Sequence, residues 1–546
     1  MTEQLKQITL TIDGKQVTVP EGTTVLQACE KANSPVPFYC YHPGLSIAGN
    51  CRICLVEIAG APKLQIACYT PATEGMIVNT TSDKTLDGRK DVLVFLLINH
   101  PLDCPVCDQA GECWLQDYYM QHGLYDQKFN EQKVKKPKVV PLGPTVMLDA
   151  ERCILCSRCV RFTDEVSKTG EFGIFNRGDH SEVGLHPGKT LENNYSGNVV
   201  DICPVGALTD RDFRFKCRVW YLGATNSVCP GCSRGCNIQI HNNRERKWFP
   251  HIADGKRVMR LKPRYNADVN QWWMCDVGRY GYKPIDDNRI THVGVKEHGV
   301  LRDGSWEEAI EQLGGTLQRL KQANQLDQVG VILSSHLTNE DLYAAKRMFG
   351  ELGITQLVFQ RPPQGSADDL LLQADRSPNA KGAQALGIAE GAEPLLARAI
   401  KRQLRVLITF TQDLVPLFGE ERVKNAASHL ELFAFIGPNV NPTAALAQLV
   451  LPSAAYAEKD GTFTNFQGRV QRITAAFECW ADARPECDIL SALATCVGLP
   501  VSFPDAPAIF AELSKRESAF HGLNYGNIGE QGVLLKHGAA PSVKNA

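Results

Sequence analysis

The chain opens on alternating apolar positions, Ile8, Leu10 and Ile12, then a tight Asp13-Gly14, then Val17 and Val19. A period of two broken by Asp-Gly predicts a β-hairpin. Pro20-Glu-Gly-Thr-Thr-Val-Leu-Gln-Ala-Cys29 then reads as a turn entering a threonine-capped helix. A hairpin followed by a helix begins a β-grasp fold, with Cys29 expected as a buried apolar residue of that helix. A second helix is predicted around Val92-Leu-Val-Phe-Leu-Leu97. Far downstream, Trp306-Glu-Glu-Ala with Ile310, Leu313, Leu317 and Leu320 spaces apolar residues along one helical face. Val329-Gly-Val-Ile-Leu333 is a short apolar strand, Leu342 to Leu352 a helix, and Val406-Leu-Ile-Thr-Phe410 a second strand. Buried strands alternating with helices predict a parallel α/β sheet. No window reaches 18 apolar residues, and the first 30 residues lack a basic stretch followed by an apolar one. The reading is therefore a soluble chain that stays inside the cell.

A length of 546 residues and 43% hydrophobic content suit three to five domains with real cores. The net charge of -2 gives no case for nucleic acid. The basic run Lys133-Val-Lys135-Lys136-Pro137-Lys138 is expected to be a solvated linker. Seventeen of the 20 cysteines fall within the first 275 residues. In a chain without a secretion signal that bias means metal, not disulfides.

The cysteines fall into sets. Cys153, Cys156 and Cys159, at two-residue intervals, are answered 44 positions later by Cys203-Pro204, the ligand pattern of a [4Fe-4S] cluster in a ferredoxin-like fold. Zinc sites more often come as two separated pairs. Upstream, Cys40, Cys51, Cys54 and Cys68 are separated by ten, two and thirteen residues, in the style of plant-type [2Fe-2S] ferredoxins. Gly44 and Gly49 suit a loop whose backbone must approach the sulfurs and donate N–H groups to them. Cys104, Cys107 and Cys113 form a triple without a fourth cysteine nearby, and His100 stands four positions before it. A cubane needs four ligands, so His100 completes the set through a ring nitrogen, although a zinc site of three cysteines and one histidine has the same inventory. Cys229, Cys232, Cys236 and Cys275, at intervals of two, three and 38 residues, are read as a further [4Fe-4S] site, with a zinc ribbon as the alternative. Cys217, Cys479, Cys487 and Cys496 have no partners at ligand spacing and are expected to be structural.

The phrases His100-Pro-Leu-Asp-Cys-Pro-Val-Cys-Asp-Gln-Ala-Gly-Glu-Cys113 and Asp201-Ile-Cys-Pro-Val-Gly-Ala-Leu208, in this order of cluster motifs over residues 1–284, resemble the large iron–sulfur subunit, or G subunit, of bacterial NADH:quinone oxidoreductase, respiratory complex I. The resemblance implies cluster-ligand roles for the fifteen cysteines and one histidine above. Many family members have lost the fourth cluster; keeping all four cysteines places this chain among those that retain it. Residues 285–546, with Ser377-Pro-Asn-Ala-Lys-Gly and Leu451-Pro through Glu458-Lys-Asp-Gly-Thr-Phe-Thr-Asn465, resemble the molybdopterin-oxidoreductase domain of the same subunit. The stretch is short for that fold, has no cysteine before Cys479 and none in the part that would meet molybdenum, so it is read as a structural relic without molybdopterin.

The expected architecture is multidomain α+β and α/β. It comprises a β-grasp [2Fe-2S] domain at 1–84, the histidine-plus-three-cysteine segment at 85–125, a ferredoxin-like [4Fe-4S] domain at 126–215, a small four-cysteine domain at 222–278 and a truncated molybdopterin-oxidoreductase-like domain at 285–546. With no convincing Gly-rich dinucleotide fingerprint, the chain reads as an electron relay without a self-contained active site. NADH and FMN would sit on a neighbouring subunit of the complex, and further clusters and quinone on others. The expected location is the cytoplasmic face of the plasma membrane, peripheral, within a proton-translocating respiratory complex. The rivals are the electron-transfer module of a soluble hydrogenase or formate dehydrogenase, and a zinc-bound scaffold.

Overall fold

A computed structural model describes residues 6–123, 129–244 and 255–535. The expected segment limits at 1, 125, 126 and 546 lie outside them. The chain divides into two compact units, residues 1–222 and 223–546.

In the first unit, strands Gln7–Ile12 and Lys15–Pro20 form the expected antiparallel hairpin, closed by Asp13 at φ 46° and Gly14 at φ 78°. Strand Ile77–Asn79 runs parallel to the first of these, and Leu55–Ile58 and Gln65–Ile66 complete a five-stranded sheet. Helix Val25–Lys31 begins at Thr24, whose hydroxyl accepts from the Gln27 N–H while the Gln27 side chain answers the Thr24 N–H. This reciprocal cap satisfies two donors that the first turn would otherwise leave open. The helix buries Val25, Leu26, Ala28 and Cys29 against the sheet. Helix Asp83–Leu97, capped by Ser82, is longer than its apolar stretch suggested. A three-stranded sheet is built from Val140–Pro141, Val146–Leu148 and Leu208–Asp210.

The lysine run corrects an expectation. It is a strap rather than a solvated linker. Lys133 donates to the Leu97 and Ile98 carbonyls at 3.0 and 2.7 Å, and Lys138 to Asp103 and Glu151 at 2.6 and 2.9 Å. Both grip the segment that carries His100.

The second unit holds an eight-stranded sheet. From one edge its strands are Val300–Gly304, Val293–Glu297, Leu449–Pro452, Leu432–Gly437, Val406–Phe410, Val329–Ser334, Leu357–Gln360 and Ala389–Glu390. From Leu449–Pro452 onward neighbouring strands are parallel; the Val293–Gly304 hairpin adds an antiparallel edge. Val329–Ser334, Val406–Phe410 and Leu432–Gly437 are buried on both faces, which is why they read as unbroken apolar runs. Helices Trp306–Gln322 and Asn339–Leu352 turn their apolar sides to one core. The second begins with a Thr338–Asp341 reciprocal cap. A separate three-stranded sheet, Leu222–Val228, Asn237–Asn243 and Val258–Pro263, carries the fourth cysteine set. Among the described residues no helix is long and apolar enough to cross a membrane.

The buried Glu458 carboxylate ties this small sheet to the large one. It accepts two bonds from Arg289, at 2.9 and 2.8 Å, and pairs with Arg257 at 2.7 Å. Removing one partner of a buried ionic network leaves charge unmatched, at about 3–5 kcal/mol. Glu458→Ala should therefore lower the melting transition of this unit by on the order of 10 °C, read by calorimetry. Glu458→Gln, which keeps part of the hydrogen bonding, should lower it less.

Candidate metal centres

The first set sits in the loop between helix Val25–Lys31 and the last strands of the β-grasp sheet. Cys40, Cys54 and Cys68 are almost fully buried, and Cys51 is half-buried. The Cys40 N–H reaches the Cys51 sulfur at 3.4 Å. The thiols touch one another: hydrogen bonds from Cys51 and Cys68 draw the Cys40 thiol strongly downward, while the Cys40 interaction pushes Cys51 and Cys68 up. Four sulfurs close enough to share charge are a donor set for metal. Arg52, at φ 62°, and Gly49, at φ 63°, curl the loop. Gly44 does not share that left-handed backbone; its N–H caps His42 Nδ1 at 3.1 Å.

In the second set, Cys104 opens a short 3-10 turn, Cys104–Val106, and Cys113 caps helix Trp114–His122. The three cysteines lie within one another's electrostatic reach. Burial holds the His100 ring well below its ordinary range, at about 4, with Arg152 adding to the effect. A neutral imidazole is the form that ligates metal. What links the ring to the thiols is Arg152, the neighbour that His100 and Cys107 share. Cys104 is the exposed member of the set.

Cys153, Cys156, Cys159 and Cys203 line one cavity with Leu148 and Val205. Leu155 and Ser157 alternate with the cysteines at φ 55° and 59°. Left-handed residues between right-handed ones turn successive N–H groups into a concavity that suits anions, and the Leu155 N–H meets the Cys153 sulfur at 3.4 Å. Burial pushes Cys153 and Cys203 up to about 12.

The fourth set lines a cavity in the second unit, with Gly231, Met274 and Gly278 among its walls. Gly231 and Gly278 donate N–H groups to the Cys229 and Cys275 sulfurs at 3.4 and 3.3 Å. A Cβ on Gly278 would stand 2.9 Å from the Cys229 sulfur. Among the described residues, no three His, Cys, Asp or Glu side chains converge on a point that would hold a single ion.

Clusters of iron and sulfide fit the last two cavities and the donors around them. A buried thiol stays protonated unless a cation compensates it, and metal binding supplies that cation with release of the proton. Buried guanidiniums stand by for the remaining charge. Arg89 near Cys54, Arg152 near Cys107 and Arg158 near Cys156 each keep one buried side-chain nitrogen without a hydrogen-bond partner among the described residues. Sequence reasoning missed these arginines. For Arg158 the signal, Ser157-Arg-Cys-Val-Arg161 around Cys159, was present but unspecific.

The remaining cysteines serve packing. Cys29 lies in the β-grasp core, Cys487 donates to Asp341 at 3.2 Å, and Cys496 to the Ile310 carbonyl at 3.6 Å. At the carboxyl ends of Val329–Ser334 and Val406–Phe410, where the strand order reverses, lies a cavity bordered by His336, Thr411, Tyr456, Lys459 and Glu486. Such switch points are where doubly wound sheets bind ligands.

Family models match the chain in five places. They describe a 2Fe-2S iron-sulfur cluster binding domain at residues 5–83, an NADH-ubiquinone oxidoreductase-G iron-sulfur binding region at 89–128 and an NADH-quinone oxidoreductase subunit 3, ferredoxin-like domain at 143–209. A molybdopterin oxidoreductase Fe4S4 domain matches 223–287 and a molybdopterin oxidoreductase model 382–496. The chain is 40% identical over 314 residues, 58% of its length, to the G subunit of the NADH-quinone oxidoreductase of Rickettsia bellii, covering 44% of that protein. It is 38% identical over 359 residues, 65% of its length, to the mitochondrial NADH-ubiquinone oxidoreductase 78 kDa subunit of Neurospora crassa, covering 46% of that protein. The chain thus spans about half the length of the curated relatives it matches. A chain of a NAD+-reducing [NiFe]-hydrogenase in its H2-reduced state matches 39% of this chain and 91% of its own, at 30% identity and a TM-score of 0.36.

Gly206, just after the Cys203-Pro204 turn, offers a local test. A Cβ there would lie 2.2 Å from the Cys107 sulfur, so Gly206→Ala should displace that sulfur. Iron in the purified chain should fall by about four atoms, one cubane, and unchanged iron would show that Cys107 holds none.

Proposed function

We infer that this chain, a relative of the G subunits of NADH-quinone oxidoreductases, is an electron-relay subunit of such a complex. Cys40, Cys51, Cys54 and Cys68 would hold a [2Fe-2S] cluster. His100 with Cys104, Cys107 and Cys113, Cys153 with Cys156, Cys159 and Cys203, and Cys229 with Cys232, Cys236 and Cys275 would each hold a [4Fe-4S] cluster. The observation that carries the reading is the repeated construction of the sites: thiols gathered in apolar loops, with backbone N–H groups turned to sulfur and buried guanidiniums alongside. When bound, the clusters supply one-electron redox chemistry.

The chain's own residues do the rest. Leu148, Ile154 and Val205 keep water from the central site. The N–H groups of Leu155, Gly231 and Gly278 stabilise negative charge on sulfur. Elements capped and packed as above hold the ligands in place. The neutral His100 would leave its cluster less negative than four thiolates would, and charge is one of the terms that set a potential.

Electrons would arrive from an FMN- and NADH-binding partner and leave through cluster-bearing partners towards quinone. The chain would lie peripherally on the cytoplasmic side of the inner (plasma) membrane as part of a membrane-bound complex, and that complex as a whole would translocate protons. The second unit is proposed to work without molybdopterin. In its switch-point cavity the bordering thiol is Cys229, which belongs to the fourth set, and Lys459 is closed into pairs with Asp341 and Glu486.

A relay is a series circuit, so the sites should differ in what their loss does. Cys156→Ala should abolish NADH-to-quinone turnover in complexes that assemble, while NADH oxidation by an artificial acceptor at the flavin survives. Cys232→Ala should lower the yield of complex and leave turnover per bound FMN largely intact. Assembled Cys232→Ala complexes as inactive as those carrying Cys156→Ala would put the fourth site on the path instead.

A further inference from the structure

Two arginines of the first unit reach from one candidate cluster loop to another. Arg158 and Arg161 stand on the short helix Arg158–Arg161, which runs on into a π-helical turn, Phe162–Val166. Arg161 Nη2 donates to the Cys40 carbonyl at 2.6 Å and to the Cys156 carbonyl at 3.3 Å, and Nη1 to the Ser46 carbonyl. Arg158 Nη1 donates to the Ile202 carbonyl at 2.9 Å, beside Cys203, and Nη2 to the Tyr41 carbonyl. The Arg158 guanidinium lies over the Trp114 ring at 4.6 Å, and the residue is 2% exposed. Each side chain thus has one hand on the loop of Cys40 and the other on the loops of the central cysteine set.

Arg158 is buried and Arg161 half-buried beside it, and holding two permanent cations together away from bulk water is costly unless negative charge lies near. The nearest carboxylate contact on this junction is that of Glu165, which accepts from the Ser46 N–H at 2.8 Å and from its hydroxyl. It is exposed and sits on the Ser46 side alone. Other partners of the two guanidiniums are neutral carbonyls and the Ser157 hydroxyl, 3.3 Å from Arg161 Nε. Thiol sulfur lies within the electrostatic reach of both: Arg158 acts on Cys156 most, then on Cys203 and Cys40, and Arg161 acts on Cys156. With thiolates in both loops, the pair faces negative charge from two directions.

We propose that Arg158 and Arg161 form a shared electrostatic bridge, a pair of positioning residues that stabilises the reduced state of the [2Fe-2S] and the central [4Fe-4S] site together. The proposal rests on the cluster reading given above. An added electron at either site raises its negative charge, and a desolvated cation at the junction lowers the free energy of both reduced forms. Because one guanidinium serves two loops, its effect on the two potentials is coupled: both rise with it, and the step between them changes little. Salt should alter the Arg158 part of the effect least, since that guanidinium is the buried one.

The test is an EPR-monitored redox titration with dithionite on the anaerobically purified full chain, its iron content measured first. In Arg161→Gln the midpoints of the [2Fe-2S] signal and of the central cluster's signal should both shift downward, while the signals of the other two sites keep theirs. Arg161→Lys, which keeps the charge, should restore both. Glu165→Gln changes no buried group and removes the opposing charge beside Ser46, so it should shift the same two midpoints upward even if Arg161→Gln fails to hold iron. Movement of one midpoint alone, no movement in either neutralised variant, or a lysine variant that behaves like glutamine would overturn the proposal. Absence of both signals from the unsubstituted chain would overturn the cluster reading, and this inference with it.

Discussion

A buried thiol and a negative charge are incompatible unless something positive stands between them, and the first unit is arranged round that conflict. Burial pushes the central cysteines up towards 12, so without a cation they would stay protonated. The backbone answers with left-handed residues at Arg52, Leu155 and Ser157 that aim N–H groups inward. The side chains answer with Arg89, Arg152, Arg158 and Arg161. Glycine answers where a Cβ would collide with sulfur, at Gly206 here and at Gly278 in the second unit. Bound metal would complete what these groups begin. The elements outside the loops, a capped helix on a β-grasp sheet and a strapped lysine run, then serve to fix sulfur positions.

The second unit solves a different problem. Its parallel strands are buried on both faces, and its ionic groups close on one another: Glu458 with Arg289 and Arg257, Lys459 with Asp341 and Glu486. Charges paired in this way hold elements in register. The large cavity at the strand ends survives beside them, at the position where the sheet topology would seat a ligand.

Much of this was legible in the sequence because it was local. Cysteine spacing, the Asp13-Gly14 hairpin, the Thr24 cap and the apolar strands each lie within a few residues of the evidence for them. What escaped was set by distant contacts. Arg161 meets Cys40 across 121 positions and Arg158 meets Tyr41 across 117, and no local pattern marks an arginine for such a role. The lysine run misled for the same reason, since its partners at Leu97, Asp103 and Glu151 come from both sides of it. Gly44 was picked for backbone freedom that the fold asks of Gly49 and Arg52 instead. The order of strands in the large sheet could not be read from the strands themselves, because apolar runs record burial and not neighbours.

The most direct measurement is the metal and acid-labile sulfide content of the anaerobically purified chain. Four occupied sites of the types assigned here require about fourteen irons and about fourteen sulfides per chain, 2 + 4 + 4 + 4. That result would establish the chain as a carrier of electrons. Zinc at the four sites, with iron and sulfide absent, would contradict the account and make the same cysteines the rivets of a scaffold.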